Sequence, residues 1–308
     1  MNDATPRRIS GSLLERAAAL YDLTPAAVPA AARVAAVAPP PAPPPAEAIA
    51  RSEPDVARRV ARRHAVAIDR DALAERGMIV PGAAVTALAE EFRLLKRQLL
   101  LTARTVAATD AQKSRMTLVC SARPDDGKTF CAVNLALSMA AEKDVEVVLV
   151  DADFAKPDVL ESLGIDADGV GLLDALADAT IDVEGCILDT DVPQLSILPA
   201  GTRSHNDTEL LTSDRAHDVL DRLASANPRR IVIFDSPPAL AASPAAVLAG
   251  HVGQVMLVVR ADRTTESDLR EAVALLDGCD QVQLLLNAVA FQPGGVRFGS
   301  YYAQGAAE

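Results

Sequence analysis

The segment Ala122-Arg-Pro-Asp-Asp-Gly-Lys-Thr129 has the residue types and spacing of a phosphate-binding loop, apart from the alanine at its first position. In such a loop, backbone N–H groups point at phosphate oxygens, and the following helix directs its positive dipole end at the same anion. Gly127 allows close approach, Lys128 neutralises phosphates, and the Thr129 hydroxyl is a ligand for Mg²⁺. An ordinary strand-to-helix turn would leave Lys128 without a role. We therefore predict an ATP or GTP site built from Asp126, Gly127, Lys128, Thr129 and Phe130.

Three aspartates stand where buried strands are predicted to end. Asp151 and Asp153 follow the apolar run 145–150, and Asp235 ends the run 231–235. Ligands bind at the carboxyl ends of strands in open α/β sheets, although a single aspartate there is usually a cap or turn residue. Three such acids beside a phosphate loop indicate that they hold Mg²⁺ and orient or deprotonate a nucleophile. We predict Thr129, Asp151 and Asp235 as metal ligands and Lys128, Asp151 and Asp153 as catalytic groups, and either Asp151 or Asp153 as the base.

Apolar runs alternate with helical stretches from residue 81 onward. Continuous apolar runs of this kind form parallel strands that helices cover on both faces. The sequence therefore predicts a doubly wound, mostly parallel α/β sheet of the P-loop NTPase class. The predicted strands are 116–120, 145–150, 195–200, 231–235, 254–259 and 282–286, and the predicted helices are 128–142, 172–177, 208–226, 244–250 and 266–277.

Residues 1–80 read as an N-terminal extension. A short helix at 10–20 precedes a linker at 24–50, in which two runs of three prolines favour an extended spacer. Residues 51–80 form a predicted helical unit with a basic face. A solvated helix face explains these arginines better than a membrane or partner contact, because the neighbouring apolar residues are mostly alanine and valine. The arginines are Arg58, Arg59, Arg62 and Arg63.

Residues 81–308 form the predicted phosphate-binding domain, which ends in a glycine-rich tail at 292–308. The sequence has three tyrosines and no tryptophan, yet Tyr301 and Tyr302 are adjacent in this tail. Chain ends are commonly unordered, so composition alone favours chance in a loose terminus.

Charge and cysteine content exclude several classes of protein. The net charge of −12 argues against general nucleic-acid binding, although residues 1–80 are mildly basic, with eleven arginines against nine acids. Four scattered cysteines without a C-x-x-C pair indicate small core residues in a reducing compartment. The sequence has no secretory signal and no charge-free apolar stretch of about twenty residues. We therefore expect a cytoplasmic chain without its own membrane span.

A further helix is predicted upstream of the phosphate loop, with an apolar stripe along one side. The stripe consists of Leu88, Phe92, Leu95 and Leu99. Glu90, Arg93 and Lys96 lie on the other faces, where their spacing is also that of ion pairs on a solvated helix.

Taken together, these motifs resemble the bacterial tyrosine autokinases (BY-kinases) of exopolysaccharide loci, in particular the exosortase-associated type. The resemblance covers nearly the whole chain. Its parts are SLLERAAAL (12–20), EEFRLLKRQLL (90–100), the phosphate loop, VLVDADFAKP (148–157), LPAGTRSHNDTELL (198–211), RIVIFDSPP (230–238) and GQVMLVV (253–259).

The resemblance implies an ATP- and Mg²⁺-dependent kinase that phosphorylates tyrosines of its own tail, in trans within an oligomer, and so regulates polysaccharide chain length or export. It implies that Tyr301 and Tyr302 are the phosphoacceptors and that Asn287 contacts adenine. In the family, the spacing Asp-x-Asp after the second strand distinguishes these kinases from many other P-loop ATPases, and Asp151 and Asp153 match it.

The resemblance also implies partners. Glu90, Arg93 and Lys96 match the family's Glu-x-x-Arg-x-x-Arg pattern, with lysine in the last place, and would hold a ring-shaped homo-oligomer together. A membrane-embedded chain-length regulator would activate the chain and anchor it peripherally at the inner face of the cell membrane. A cognate tyrosine phosphatase would reverse its modification, and no nucleic acid is involved.

Two features of the loop keep other functions open. The family's loop reads Pro-Gly-Glu-Gly-Lys, whereas this loop has Asp125 at the first glycine, where a positive φ would suit glycine better. Such a loop is also compatible with a nucleotide-binding scaffold that has lost catalysis. A switch ATPase of the partitioning or positioning group is the other alternative, because Arg123 stands where those proteins carry a lysine.

Overall fold

The structure is a computed structural model that describes residues 65–167, 169–204 and 206–289. The predicted N-terminal helix, the Pro-rich linker, the arginines of 58–63 and the tyrosine-containing tail lie outside the described residues.

Seven strands form one sheet in the order β3-β4-β2-β5-β1-β6-β7. All neighbouring strands are parallel except the β3–β4 pair, which is antiparallel. The central strands are buried on both faces, as their continuous apolar runs predict. The doubly wound, mostly parallel α/β fold is therefore confirmed. The strands are β1 (Met116–Ser121), β2 (Glu146–Asp151), β3 (Leu188–Asp189), β4 (Leu195–Leu198), β5 (Arg230–Asp235), β6 (Gln254–Arg260) and β7 (Val282–Asn287).

The helices cover the sheet on both faces. The predicted helix 208–226 is two helices, because the Ser213 side chain accepts a hydrogen bond from the Ala216 N–H and starts a second helix. The helices are α1 (Arg70–Glu75), α2 (Ala87–Val106), α3 (Lys128–Ala140), α4 (Val159–Ser162), α5 (Leu172–Ala177), α6 (Val183–Cys186), α7 (Asp207–Leu211), α8 (Asp214–Ser225), α9 (Pro244–Ala249) and α10 (Glu266–Leu275).

A hydrophobic core lies on each side of the sheet. Leu118 and Phe234 belong to one core, and Leu149 and Ile233, with helix α3, belong to the other. All four cysteines are buried within these cores, as expected of small core residues. Among the described helices, none combines the length and the apolar character that crossing a membrane requires.

Helix α2 buries the predicted stripe, with Phe92 and Leu99 in the core. Lys96 is buried as well, although the sequence analysis left it on a face open to another subunit. Its ammonium donates to the Ser138 carbonyl oxygen at 3.1 Å and to Glu142 Oε1 at 2.6 Å. The long lysine stem lies along apolar surface while its charge meets a carboxylate at the end of α3. In this structure, Lys96 is thus engaged inside its own subunit.

Residues 65–80 pack into the same domain, although the sequence analysis counted them with the extension. Ile68, Leu73 and Met78 belong to the core that surrounds α3. The buried Asn134 side chain accepts a hydrogen bond from the Ile79 N–H at 2.7 Å. Residues of 65–80 therefore contribute to the core of the sheet domain.

Replacing Leu73 with alanine tests this packing. Leu73 is fully buried, so Leu73→Ala should lower the free energy of unfolding by about 3 kcal/mol. Leu275→Ala, at a helical leucine that is 43% exposed, is the matched control and should change it by less than about 0.5 kcal/mol. Chemical denaturation followed by circular dichroism measures both. Equal effects would show that residues 65–80 are not part of the core.

Candidate nucleotide-binding site

The phosphate loop connects the end of β1 to the start of α3. Gly127 caps α3 with a φ of +94°, and Asp125 has a φ of +63°. Both lie in the left-handed region that glycine adopts most easily. A Cβ atom on Gly127 would also lie 2.2 Å from Asn287 Nδ2, so the Asn287 side chain would have to shift. The helix places its free N–H groups at the loop, as phosphate binding requires.

Lys128 and the acids predicted from sequence meet at the carboxyl edge of the sheet. Lys128 Nζ lies 2.8 Å from Asp153 Oδ2 and 3.3 Å from Thr129 Oγ1. The Thr129 hydroxyl donates to Asp235 Oδ2 at 2.6 Å. Asp151 is the register partner of Asp235 on the neighbouring strand. The structure thus brings five of the predicted residues into one cluster.

The donor set fits Mg²⁺ held together with phosphates. The second carboxylate oxygen of Asp235, Oδ1, is buried and has no hydrogen-bond partner among the described residues. A buried carboxylate oxygen without a partner is costly unless a cation or donor meets it. The described part of the chain contains no ready-made cluster of three metal-binding side chains. Mg²⁺ commonly binds one or two carboxylates and takes its other ligands from water and substrate phosphates.

Asp151 and Asp153 have different surroundings. Asp151 accepts hydrogen bonds from the backbone N–H groups of Asp158 and Val159, at 3.1 and 3.0 Å, and more weakly from that of Asp153. Asp153 faces Lys128 with one oxygen and accepts from the Lys156 N–H with the other. Asp151 therefore fixes the chain that follows β2, whereas Asp153 faces the phosphate loop.

Burial sets the proton affinities in this cluster. Burial, assisted by the charge of Asp235, raises the pKa of Asp151 to about 7. Burial also raises the pKa of Asp235 to about 6, although Lys128 and the Thr129 hydroxyl oppose this shift. Burial alone would lower the pKa of Lys128, but the nearby carboxylates, Asp235 first, outweigh it and raise that pKa. Lys128 is thus held as a cation, and its single positive charge only partly offsets the negative charge of the nearby carboxylates.

Three residues that the sequence analysis missed hold the phosphate loop from the side of β6 and α10. Asp268 forms an ion pair with Arg123 at 2.8 Å, the Thr264 hydroxyl donates to Asp126 Oδ2, and Arg260 donates to the Asp125 carbonyl oxygen. The pairing with Arg123 lowers the pKa of Asp268. The only sequence signal here was the spacing of Thr265 and Asp268, which is that of a capping box at the start of α10.

Other predicted residues lie apart from this cluster or contact it differently. Asn287 donates its side-chain amide to the Asp126 carbonyl oxygen at 2.9 Å, so it supports the loop in this structure. The partly buried Phe130 side chain packs against the core. Glu90 and Arg93 form an ion pair with each other on α2, away from the loop. Tyr301 and Tyr302 lie outside the described residues.

Comparison with known proteins found tyrosine-protein kinases among the relatives of this chain. EpsB of Ralstonia solanacearum, whose name describes a tyrosine-protein kinase, is 33% identical over 202 residues, or 65% of this chain and 26% of that protein. Tyrosine-protein kinase YwqD of Bacillus subtilis is 30% identical over 173 residues, or 56% of this chain and 70% of that protein. The chain thus spans about a quarter of the length of EpsB but most of the length of YwqD.

Solved structures give a similar result. The tyrosine kinase domain of BceF superposes with a TM-score of 0.54 and 28% identity, over 64% of this chain and 76% of that one. No family model matches the sequence.

The raised pKa of Asp151 predicts a pH-dependent stability. The folded state binds the proton of the Asp151 carboxyl group more tightly than the unfolded chain does, since the pKa of this group in the unfolded chain is near 3.8. The resulting stabilisation is complete below about pH 3.8 and is lost as the pH rises through about 7. Between pH 5.5 and 8, the wild-type protein should therefore lose on the order of 1–3 kcal/mol more stability than Asp151→Asn.

Chemical denaturation of the nucleotide-free protein across this pH range measures the difference. Asp277→Asn makes the same change at an exposed carboxylate and should follow the wild type. Equal pH slopes for the wild type and Asp151→Asn would contradict the assigned shift.

Proposed function

The chain belongs to the bacterial tyrosine-protein kinase family, and from this premise we propose that it is an ATP-dependent protein-tyrosine autokinase. The observation that carries the proposal is the contact of Lys128 in the phosphate loop with Asp153, the second acid of the Asp-x-Asp pair, at 2.8 Å. A cation suited to binding phosphate thus lies beside a carboxylate that could accept the proton of a hydroxyl group. Phosphoryl transfer to a side chain requires both groups.

In the proposed reaction, the loop amides and Lys128 hold the phosphates of ATP. Lys128 is a largely buried cation that pairs with Asp153 in this structure. The γ-phosphate, which carries more negative charge, would attract the same ammonium. When ATP binds, the Lys128 ammonium would exchange its ion pair with Asp153 for one with phosphate. The Asp153 carboxylate would then be free while ATP, the phosphate donor, is in place. Binding of ATP would therefore make the Asp153 carboxylate available to the acceptor tyrosine.

Thr129 and Asp235 would hold Mg²⁺, which supplies positive charge to the phosphates when bound. Asp235 Oδ1, which has no partner among the described residues, supports this role. The hydrogen bond that the Thr129 hydroxyl donates to the other oxygen, Asp235 Oδ2, supports it as well. Asp151, beside Asp235 in register, adds negative charge to the same place.

We assign the general base to Asp153 rather than Asp151. The proton affinity alone favours Asp151, whose pKa of about 7 suits a base at neutral pH. The geometry favours Asp153, because both Asp151 oxygens accept backbone N–H groups of its own loop, whereas Asp153 faces Lys128. Position relative to the reacting group comes before pKa, since a base that cannot reach the hydroxyl cannot take its proton.

The proposed acceptors are Tyr301 and Tyr302, phosphorylated in trans within a homo-oligomeric ring. Arg93 is about half exposed on α2 and is available to a neighbouring subunit, together with its partner Glu90. Lys96 is omitted from the proposed contact because it is bound to Glu142 and Ser138. Phosphate groups would add up to about two negative charges per tyrosine and loosen a ring of acidic subunits.

The proposed setting is exopolysaccharide synthesis, where the chain would regulate polymer length or export. A membrane-embedded chain-length regulator would activate it and hold it at the inner face of the membrane, and a cognate phosphatase would reverse the modification. These partners rest on the family resemblance of the motifs around the phosphate loop and the Asp-x-Asp pair.

Phosphate mapping tests the proposed activity. The full chain incubated with Mg-ATP and the cytoplasmic part of its membrane partner should acquire phosphate on Tyr301 or Tyr302, detected by mass spectrometry. Lys128→Met should abolish the signal because it removes the cation that binds the phosphates. The double change Tyr301→Phe and Tyr302→Phe should abolish it through loss of the acceptors while nucleotide binding persists.

Other outcomes would replace this proposal. ATP hydrolysis without any phosphotyrosine would favour the switch ATPase, and nucleotide binding without either reaction would favour the scaffold. Within the subunit, Arg123 is paired with Asp268, which speaks against its use as the bridging cation of a switch ATPase.

A matched pair of substitutions tests the assignment of the base. Asp153→Asn should lower the rate of tyrosine phosphorylation by about 100-fold or more, with the nucleotide dissociation constant changed only a few-fold. Asp151→Asn should lower that rate by about tenfold or less, because the amide oxygen still accepts the N–H groups of Asp158 and Val159. Single-turnover phosphorylation and nucleotide titration measure the two quantities. The reverse order of rates would transfer the role to Asp151.

A further inference from the structure

The phosphate loop of this chain is held by four side chains, from the ends of β6 and β7 and from the start of α10 and the segment before it. We call them the loop clasp: Arg260, Thr264, Asp268 and Asn287. Asp268 binds the Arg123 side chain, and Thr264 binds the Asp126 side chain. Arg260 and Asn287 instead donate to backbone carbonyl oxygens of the loop, those of Asp125 and Asp126, at 3.2 and 2.9 Å.

The clasp meets the loop at its most demanding backbone position. Asp125 has a φ of +63°, a conformation that glycine adopts freely and that side chains with a Cβ adopt at a cost in free energy. Without a restraint, the loop would therefore populate other conformations in which its N–H groups do not converge on phosphate. Arg260 supplies a restraint at this peptide, since its guanidinium fixes the direction of the Asp125 carbonyl group.

Arg260 is itself held in place. Its Nε donates to Asp262 Oδ1 at 3.2 Å, and its backbone N–H donates to the Thr264 hydroxyl at 3.0 Å. That hydroxyl in turn donates to Asp126 Oδ2, so the side chain and main chain of Arg260 both connect to the loop. The guanidinium thus reaches Asp125 from a fixed base at the end of β6.

We propose that Arg260 is a positioning residue for nucleotide binding, which compensates for an aspartate at a backbone position that favours glycine. It acts by holding the Asp125 peptide in the left-handed conformation, so that the loop is preorganised for phosphate before the ligand arrives. This inference rests on the proposed nucleotide site, but it does not depend on tyrosine phosphorylation. It predicts that a glycine at position 125 makes Arg260 dispensable.

A double-mutant cycle tests the inference through binding of a fluorescent ADP analogue with Mg²⁺ to the full chain. Arg260→Met keeps the apolar stem and removes the donors, and it should weaken binding about fivefold. In the Asp125→Gly background, where the left-handed conformation needs no restraint, the same change should weaken binding less than about twofold. This rescue is the signature of a positioning role.

Two controls separate this role from plain electrostatics. Asp125→Asn removes the same negative charge as Asp125→Gly but keeps a Cβ, so in that background Arg260→Met should still cost about fivefold. Arg270→Met removes an exposed arginine that is paired with Glu266 on α10, and it should leave binding unchanged. The thermal midpoint of the nucleotide-free protein should be alike for Arg260→Met and Arg270→Met.

The inference is overturned if Arg260→Met has no effect on binding, or if its effect is equally large in the Asp125→Gly background, since Arg260 would then act through its charge. Rescue by Asp125→Asn to the same extent as by Asp125→Gly would overturn it too. Failure of the wild-type chain to bind the analogue would overturn the proposed function together with the inference.

Discussion

The site depends on one buried charge arrangement, in which the Lys128 ammonium lies among the carboxylates of Asp151, Asp153 and Asp235. Burying three acids with a single cation is unfavourable, and the raised pKa values of Asp151 and Asp235 are the visible result. Such a cluster is stable only if further positive charge or protons reach it. The excess negative charge of the three carboxylates therefore favours binding of Mg²⁺ together with a nucleotide, because the metal ion supplies positive charge beside these carboxylates.

The order of the strands creates this arrangement. Strand β5 lies between β1 and β2, which brings the end of β5 next to the phosphate loop on one side and the Asp-x-Asp pair on the other. The parallel register sets Asp151 opposite Asp235 and sets Val119, two residues before the end of β1, beside Asp235 as well. In a parallel sheet, all three strands end at the same edge. Residues more than 100 positions apart in the chain are thus brought within hydrogen-bond distance.

The parallel sheet, the phosphate-loop segment between β1 and α3, and the acids at the ends of β2 and β5 could be located from the sequence, because each is a local pattern of apolar runs and chain breaks. The sequence could not predict contacts set by tertiary packing. Lys96 has the spacing of a surface residue on an amphipathic helix, and only the approach of α3 explains its burial against Glu142. Likewise, nothing local to Arg260 or Asp268 connects them with a loop more than 130 residues earlier. The two-residue strand β3 was missed because so short a run has no detectable period.

Segments distant in sequence pack against helix α3 and thereby set the geometry of the site. Its first turn carries Lys128 and Thr129, so its direction fixes where the ammonium, the hydroxyl and the free N–H groups point. Three contacts hold that direction. Asn134 is tied to the Ile79 backbone, the Ser138 carbonyl oxygen accepts from Lys96, and the Asn287 amide supports the loop at the helix start. A rotation of α3 that moved Lys128 away from Asp153 would have to break contacts with all three segments. The precision of the site therefore comes from helix packing as much as from the loop sequence. This packing explains how a loop with Ala122 at its first position and Asp125 in place of the family's glycine still has a defined shape.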